Sequence, residues 1–367
     1  NEQHEAAPRR RPSRFALGSL RLRLLQLWLA AKLLWRRPDV VHFQSFRNGR
    51  DLWLVRLLSR LGFPIVFTAH DLLPHDSNSA SDRKSHADLY HAVDRIVVHA
   101  RSNREEMVTE FGIDPSKIEV IAHGSYDFLL PNGLVPREEA RRRLGLPQDG
   151  PILLFFGWIK PYKGLEYLIE AFRRIELEVP EARLLIVGGL NRGMDSYAFY
   201  SELLREASRN PRVICVSEYV LLDRVGLYFR AANAVALPYT KTYQSGVLLA
   251  AYAAGRPVIV TRTGGLEEAV QNDQTGFVVP ACNAQALAEA ATRLLLDRKE
   301  AAAMGDRALR LAGTRYSWRR IADQTIRLYR SLGKSRSAPL VAEEPGPGAE
   351  ALHLERDPKG TSTTSDA

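Results

Sequence analysis

Ten short runs rich in Val and Ile recur along the chain, mostly continuous rather than alternating in their apolar residues: residues 40–43, 65–69, 95–99, 118–122, 152–156, 184–187, 213–216, 234–237, 258–261 and 277–279. A strand that is apolar at every position has both faces covered, the condition of a parallel sheet between helical layers. Helical patterns at 164–178, 197–208, 223–231, 247–254, 266–271 and 284–296 fall between the later runs. Alternating β and α elements predict right-handed crossovers and doubly wound α/β sheets. A Pro/Gly-rich passage at 144–151 divides the pattern, and 367 residues suffice for two cores. The expected organisation is a tail at 1–14, a first Rossmann-like domain at 15–145, a second at 146–315, a helix at 316–333 and a disordered tail at 334–367.

Composition narrows the function classes. With 45% hydrophobic and 25% charged residues, the chain is neither wholly disordered, collagenous nor a coiled-coil rod. Cys215 and Cys282 are too few for a disulfide framework or a cysteine zinc site, and both read as buried bystanders of a reducing compartment. The net charge of +9 admits nucleic acid, anionic membrane or phosphorylated ligands as partners. No aromatic-rich RNA platform or zinc-finger spacing accompanies it, so nucleic acid is not expected. Much of the excess precedes the first strand, in Arg9, Arg10, Arg11, Arg14, Arg21, Arg23, Lys32, Arg36 and Arg37. Residues 20–35 are broken by charges and fall short of the ~20 apolar residues a membrane span needs. They read as an amphipathic basic helix with Leu20, Leu24, Leu27, Trp28 and Leu34 on one face, packed on the first domain or docked on an anionic membrane, with packing the favoured reading.

In doubly wound sheets ligands lie beyond the carboxyl ends of the strands, so the loops after strands carry the search. The loop after 152–156 offers Gly157, Lys160, Lys163 and then Gly164 at the start of a helix, an arrangement that suits a phosphate and is equally a plain turn with solvated lysines. It is not a P-loop, and no G-x-G-x-x-G occurs. After 234–237, Thr242, Gln244, Ser245, Gly246 and Val247 lead into a long apolar helix, where Ser245 reads as an N-cap and the backbone as an anion cradle. After 258–261, Gly264 and Gly265 permit a tight turn against a flat ligand, and Glu268 can cap backbone donors or bind a hydroxyl.

Together these loops resemble the family 4 glycosyltransferases, which are retaining enzymes of the GT-B fold using nucleotide-sugar donors. The resemblance is carried by Phe155-Phe156-Gly157 through Lys163-Gly164 to Ala171-Phe172, by Leu185-Ile186-Val187-Gly188-Gly189, and by Ser245-Gly246-Val247-Leu248-Leu249 through Gly255-x-Pro257-Val258-Ile259. Gly264-Gly265-x-x-Glu268 and Thr275-Gly276-Phe277-Val278-Val279 follow. Upstream, Asp39-Val40-Val41-His42, Thr68-Ala69-His70-Asp71 and Val120-Ile121-Ala122-His123-Gly124 match in order, and Tyr316-Ser317-Trp318 to Tyr329 is similar to the family's helix that crosses back onto the first domain.

The resemblance implies roles residue by residue. Lys163 matches the lysine on the donor diphosphate, and Lys160 stands in for a second cation because Trp158 replaces the usual arginine. Ser245, Gly246 and Val247 fall where backbone amides cradle the diphosphate, while His70 and Asp71 match residues near the transferred sugar. The catalytic set implied is His70, Asp71 and Lys163, and the donor set adds Gly157, Lys160, Thr242, Gln244, Ser245, Gly246, Val247, Gly264, Gly265 and Glu268. No cofactor or metal is implied beyond the nucleoside diphosphate sugar, which is itself the donor substrate. The chain has no Asp-x-Asp pair.

Two departures stand out. The family's two glutamates, with seven residues between them, are Thr242 and Ala250 here, and its first strand, glycine-rich loop and helix are not found in residues 1–38. The chain starts at Asn1, so a front end incomplete relative to the family is expected. The implied activity is hexose transfer to a glycan or lipid-linked acceptor, in the cytoplasm or at the inner face of the membrane. A nucleotide-sugar 2-epimerase, a glycogen-synthase-like polymer extender and a degenerate nucleotide-binding scaffold remain as alternatives.

Overall fold

The computed structural model describes residues 14–46, 49–74, 79–130 and 133–333; the expected tails lie outside these, except Arg14, which begins a helix. The first domain runs α1 (Arg14–Arg36), β1 (Val41–Phe43), α2 (Gly49–Arg60), β2 (Ile65–Thr68), α3 (Ala80–Ala92), β3 (Arg95–Val98), α4 (Arg101–Phe111) and β4 (Ile118–Val120). The second begins with α5 (Arg137–Leu144), β5 (Ile152–Phe156), α6 (Leu165–Glu178), β6 (Arg183–Val187), α7 (Tyr197–Ala207), β7 (Val213–Val216) and α8 (Leu222–Ala231). It continues through β8 (Ala234–Leu237), α9 (Gly246–Ala253), β9 (Val258–Thr261), α10 (Gly264–Ala269), β10 (Gly276–Val279), α11 (Ala284–Leu296) and α12 (Arg298–Gly313). Each apolar run of the sequence is a strand, and every described strand pair is parallel.

The sheets differ in how they are wound. The first has the sequential order β1-β2-β3-β4, and the second the order β10-β9-β8-β5-β6-β7. In the second sheet all residues of β8 and β9 are buried, and helices cover both faces. This double covering is why the strands read as unbroken apolar runs.

The last helix, α13 (Trp318–Gly333), leaves the second domain and returns to the first. Its buried Leu328 and Leu332 pack with Val66, Val97 and Ile121, and Tyr329 Oη lies 2.6 Å from His42 Nδ1. Where it departs, the Trp318 indole donates to Ser125 O at 2.8 Å and covers Gly124 so closely that a Cβ there would stand 2.5 Å from the ring.

Two expectations are corrected. α1 does rest on the first domain, but through Gln26, Leu29, Ala30 and Leu33, with Gln26 Nε2 donating to Asp51 Oδ1. The face read from the sequence is turned outward: Leu24, Leu27, Trp28 and Leu34 are all exposed, and the Leu20 side chain is outside the described residues. Apolar residues surround this helix, so periodicity alone cannot choose the packed side. Cys282 is exposed in a left-handed turn at φ 56°, and Cys215 is only half-buried.

Candidate active site

Strand order locates the crevice. From β5 the chain moves outward through β6 to β7, then returns to the opposite flank of β5 as β8. The loops after β5 and β8 therefore part at the switch point, the usual ligand position in an open α/β sheet. These are the two loops that carry Lys163 and Ser245.

The first loop folds its lysine inward. Gly157, at φ 101°, lets the backbone turn away from β5, and a Cβ at that residue would stand 2.6 Å from Lys163 Nζ and 3.8 Å from Val247 Cγ2. Gly157, the Lys163 amine and the first turn of α9 thus meet at one point. Lys163 closes a short 3-10 turn over Pro161–Lys163 and is only 7% exposed, with Nζ 3.5 Å from Phe156 O and above the Tyr239 ring. Burial, and then the nearby charge of Lys160, push its pKa down to about 8. A buried ammonium with one long backbone contact is poised to gain from an anion. Trp158 is exposed and lies over Gly189, leaving no cation in that place.

The second loop presents a helix end. Ser245 is extended and its hydroxyl accepts from Leu248 N, so it caps α9 as expected, while the Gly246 and Val247 N–H groups belong to the first turn. Gly246 is approached by the Tyr126 hydroxyl, 2.6 Å from where a Cβ would stand. Thr242 is buried and its hydroxyl donates to Gln244 O at 2.8 Å. Ala250 is also buried, so neither position where the family carries glutamate presents a carboxylate. The loops are braced together, Thr240 N donating to Tyr162 O at 2.8 Å and Gly265 N to Tyr243 O at 3.2 Å. Gly264 packs against Thr242 O.

Glu268 has a partner in the other domain. Its Oε1 accepts from Ser102 N at 2.6 Å and its Oε2 from Arg101 N at 2.9 Å. These are first-turn donors of α4, whose own N-cap, Ala100, has no side chain to offer. Burial alone would raise this carboxyl, but the backbone hydrogen bonds outweigh it and hold the pKa below the ordinary value. A cavity of about 480 Å³ lies at this junction, bordered by His99 and His123 from the first domain and by Gln244, Ser245, Gly265 and Glu268 from the second.

Four histidines gather on the first-domain side. His42 lies in β1, His70 two residues past β2, His99 directly after β3 and His123 three residues past β4. His70 Nδ1 is 3.0 Å from His99 Nε2, and the His70 and His123 rings are 6.0 Å apart. Burial, and then His123, lower the His70 pKa against the opposing charge of Asp71.

Known proteins share the family profiles and the fold. The family profile "Glycosyltransferase Family 4" matches residues 1–125, and "Glycosyl transferases group 1" matches residues 136–310. The chain is 30% identical over 315 residues to D-inositol 3-phosphate glycosyltransferase of Xylanimonas cellulosilytica, covering 82% of this chain and 73% of that one. It belongs to glycosyltransferase family 4. The fold is likewise that of sucrose-phosphate synthase from Thermosynechococcus elongatus (TM-score 0.71, 25% identity, 90% of this chain and 82% of that one). Anabaena HepE, solved with UDP, is similar in fold at TM-score 0.70 and 20% identity, over 83% of this chain and 82% of that one.

For this family 4 transferase, the sequence singled out His70 but not its supports. The resemblance implies no role for His99, His123 or Tyr329, although a histidine in or just beyond each strand of the first sheet is a visible signal. Gly157, Lys163 and Val247 come together at the switch point of the second sheet; His70 joins the histidine cluster beside the cavity; Glu268 joins the domains.

Proposed function

We propose that the enzyme transfers a hexose from a nucleoside diphosphate sugar to a glycan or lipid-linked acceptor, with retention of configuration and no metal ion. The observation that carries this reading is the meeting of the buried Lys163 amine with Gly157 and the first turn of α9 at the switch point. Such a place stabilises the charge that develops on a departing diphosphate. The bond between the sugar's anomeric carbon and the phosphate oxygen breaks, the acceptor oxygen bonds to that carbon on the same face, and the acceptor's proton passes to the leaving diphosphate. The UDP held by HepE supports a nucleotide donor. The absence of an Asp-x-Asp pair supports independence from metal.

The test is thermal unfolding with UDP, GDP, ADP and their sugar conjugates, in magnesium and in EDTA. A ligand at ~100 times its Kd adds about 2.7 kcal/mol of stability. One base should stabilise selectively, and the effect should survive EDTA. A folded sample that responds to none would overturn the nucleotide-donor reading.

The outward face of α1 supports a place at the inner membrane surface, in polysaccharide or cell-envelope glycan assembly. α1 contains no acidic residue, Trp28 and Trp35 are 58% and 77% exposed, and Lys32 and Arg36 lie over their rings. Tryptophan beside basic residues suits an anionic interface. Among the described residues no helix is long and apolar enough to cross a membrane. The protein should sediment with vesicles containing anionic lipid and not with neutral ones, and Trp28→Ser with Trp35→Ser should abolish this. Equal sedimentation with both lipids would remove the charge argument.

A further inference from the structure

The histidine cluster contains a hydrogen-bond sequence whose proton positions follow from chemistry. His99 Nδ1 lies 2.9 Å from Ile121 O. A backbone carbonyl only accepts, so His99 Nδ1 carries the hydrogen. In a neutral imidazole the other nitrogen is then bare, and His99 Nε2 must accept from its own neighbour. That neighbour is His70 Nδ1, at 3.0 Å. His70 in turn carries its hydrogen on Nδ1, and among the described residues none hydrogen-bonds its Nε2.

We propose that His99 is a positioning residue for His70, fixing it as the Nδ1–H tautomer and leaving Nε2 as a bare acceptor for a hydroxyl of the transferred sugar. The inference rests on the transferase reading for its ligand, but not for the tautomer itself. The surroundings keep both rings neutral. Burial foremost, with His70 and His123 adding to it, lowers the His99 pKa to about 4 against the hydrogen bond to Ile121 O and the charge of Asp71. A protonated His99 would instead donate from Nε2 and reverse the tautomer of His70. His123 cannot take over the role, because its Nδ1 lies 2.9 Å from Gly124 O and its ring is stacked on Tyr126. His42 is held by Tyr329 Oη and Thr68 Oγ1.

Two substitutions separate support from relay. His99→Asn can keep the donor to Ile121 O but loses the distal acceptor, whereas His99→Gln keeps an acceptor within reach of His70. Long-range ¹H–¹⁵N spectra of the histidine-labelled full chain at neutral pH, with His70 assigned from His70→Gln, should show Nδ1 protonated and Nε2 bare in the unaltered protein and in His99→Gln. His99→Asn should give a mixture of tautomers. In His99→Asn, affinity for the sugar conjugate of the preferred nucleotide should fall about two- to fivefold, as the fraction of His70 holding the Nδ1–H form falls, while affinity for the bare nucleoside diphosphate stays unchanged. His99→Gln should restore the sugar-dependent part.

A mixed or Nε2–H tautomer in the unaltered protein overturns the proposal, whatever the variants do. Equal losses for both ligands in His99→Asn, or none, overturn the sugar contact. A fixed tautomer in a protein that binds no nucleotide would instead count against the transferase reading alone.

Discussion

Lys163→Ala is expected to lower turnover by about 10²–10³-fold, the effect of deleting one preorganised group that stabilises developing charge. The effect is large because the amine is buried where Gly157 and α9 meet, so water cannot take its place as it would for a surface lysine. Its pH dependence has a definite sign. With a pKa of about 8 in the free protein, the amine is increasingly neutral above that pH, and a bound diphosphate must draw a proton onto it. Donor affinity should weaken as pH rises through about 8, and calorimetry at pH 8–9 in buffers of different ionisation enthalpy should register proton uptake. Stability of the free protein moves the other way. The cost of burying the ammonium is fully present below about 8 and is relieved as pH rises toward the unfolded value of 10.5. Near-normal turnover in Lys163→Ala would remove this residue from the leaving-group role.

The largest expected loss of stability comes from Arg141→Ala. Arg141 is 3% exposed, and its guanidinium donates to Ala231 O, Gln148 O, Gly150 O and Asn233 Oδ1 at 2.9–3.0 Å, with Pro147 O at 3.4 Å. Asn233 Oδ1 also accepts from Ile152 N, so one side chain fixes the loop before β5, the start of β5 and the end of α8. Alanine leaves these acceptors buried and unpaired, which should cost about 3–5 kcal/mol. Arg141→Lys should recover little, since an ammonium cannot reproduce the planar fan of donors. In urea the midpoint should fall with an unchanged slope. A loss below about 1 kcal/mol would mean that backbone packing alone holds the segment.

The strands were legible because double covering makes them continuously apolar, and the Lys163 and Ser245 loops because they directly follow strands. Helices α2 to α5 and α12 leave no comparably plain trace in the sequence. In α12 the run Arg298-Lys299-Glu300-Ala301-Ala302-Ala303 offers small and charged residues with little apolar contrast, although only Ala301 of these is buried. The packed side of α1 was hidden by leucines all round it. The partner of Glu268 lies 166 and 167 residues upstream, beyond any local pattern. The His70–His99 contact is similarly a product of neighbouring strands, invisible until β2 and β3 are set side by side.

Capping α4 from across the cleft ties two motions together. Arg101 N and Ser102 N have Glu268 as their acceptor only while the domains are together. Each separation of the domains bares two amides, returns a carboxylate to water and loosens the first turn of a helix that has no cap of its own. Breathing of the cleft and fraying of α4 are therefore one equilibrium, and solvent exchange at those amides records how often the enzyme opens.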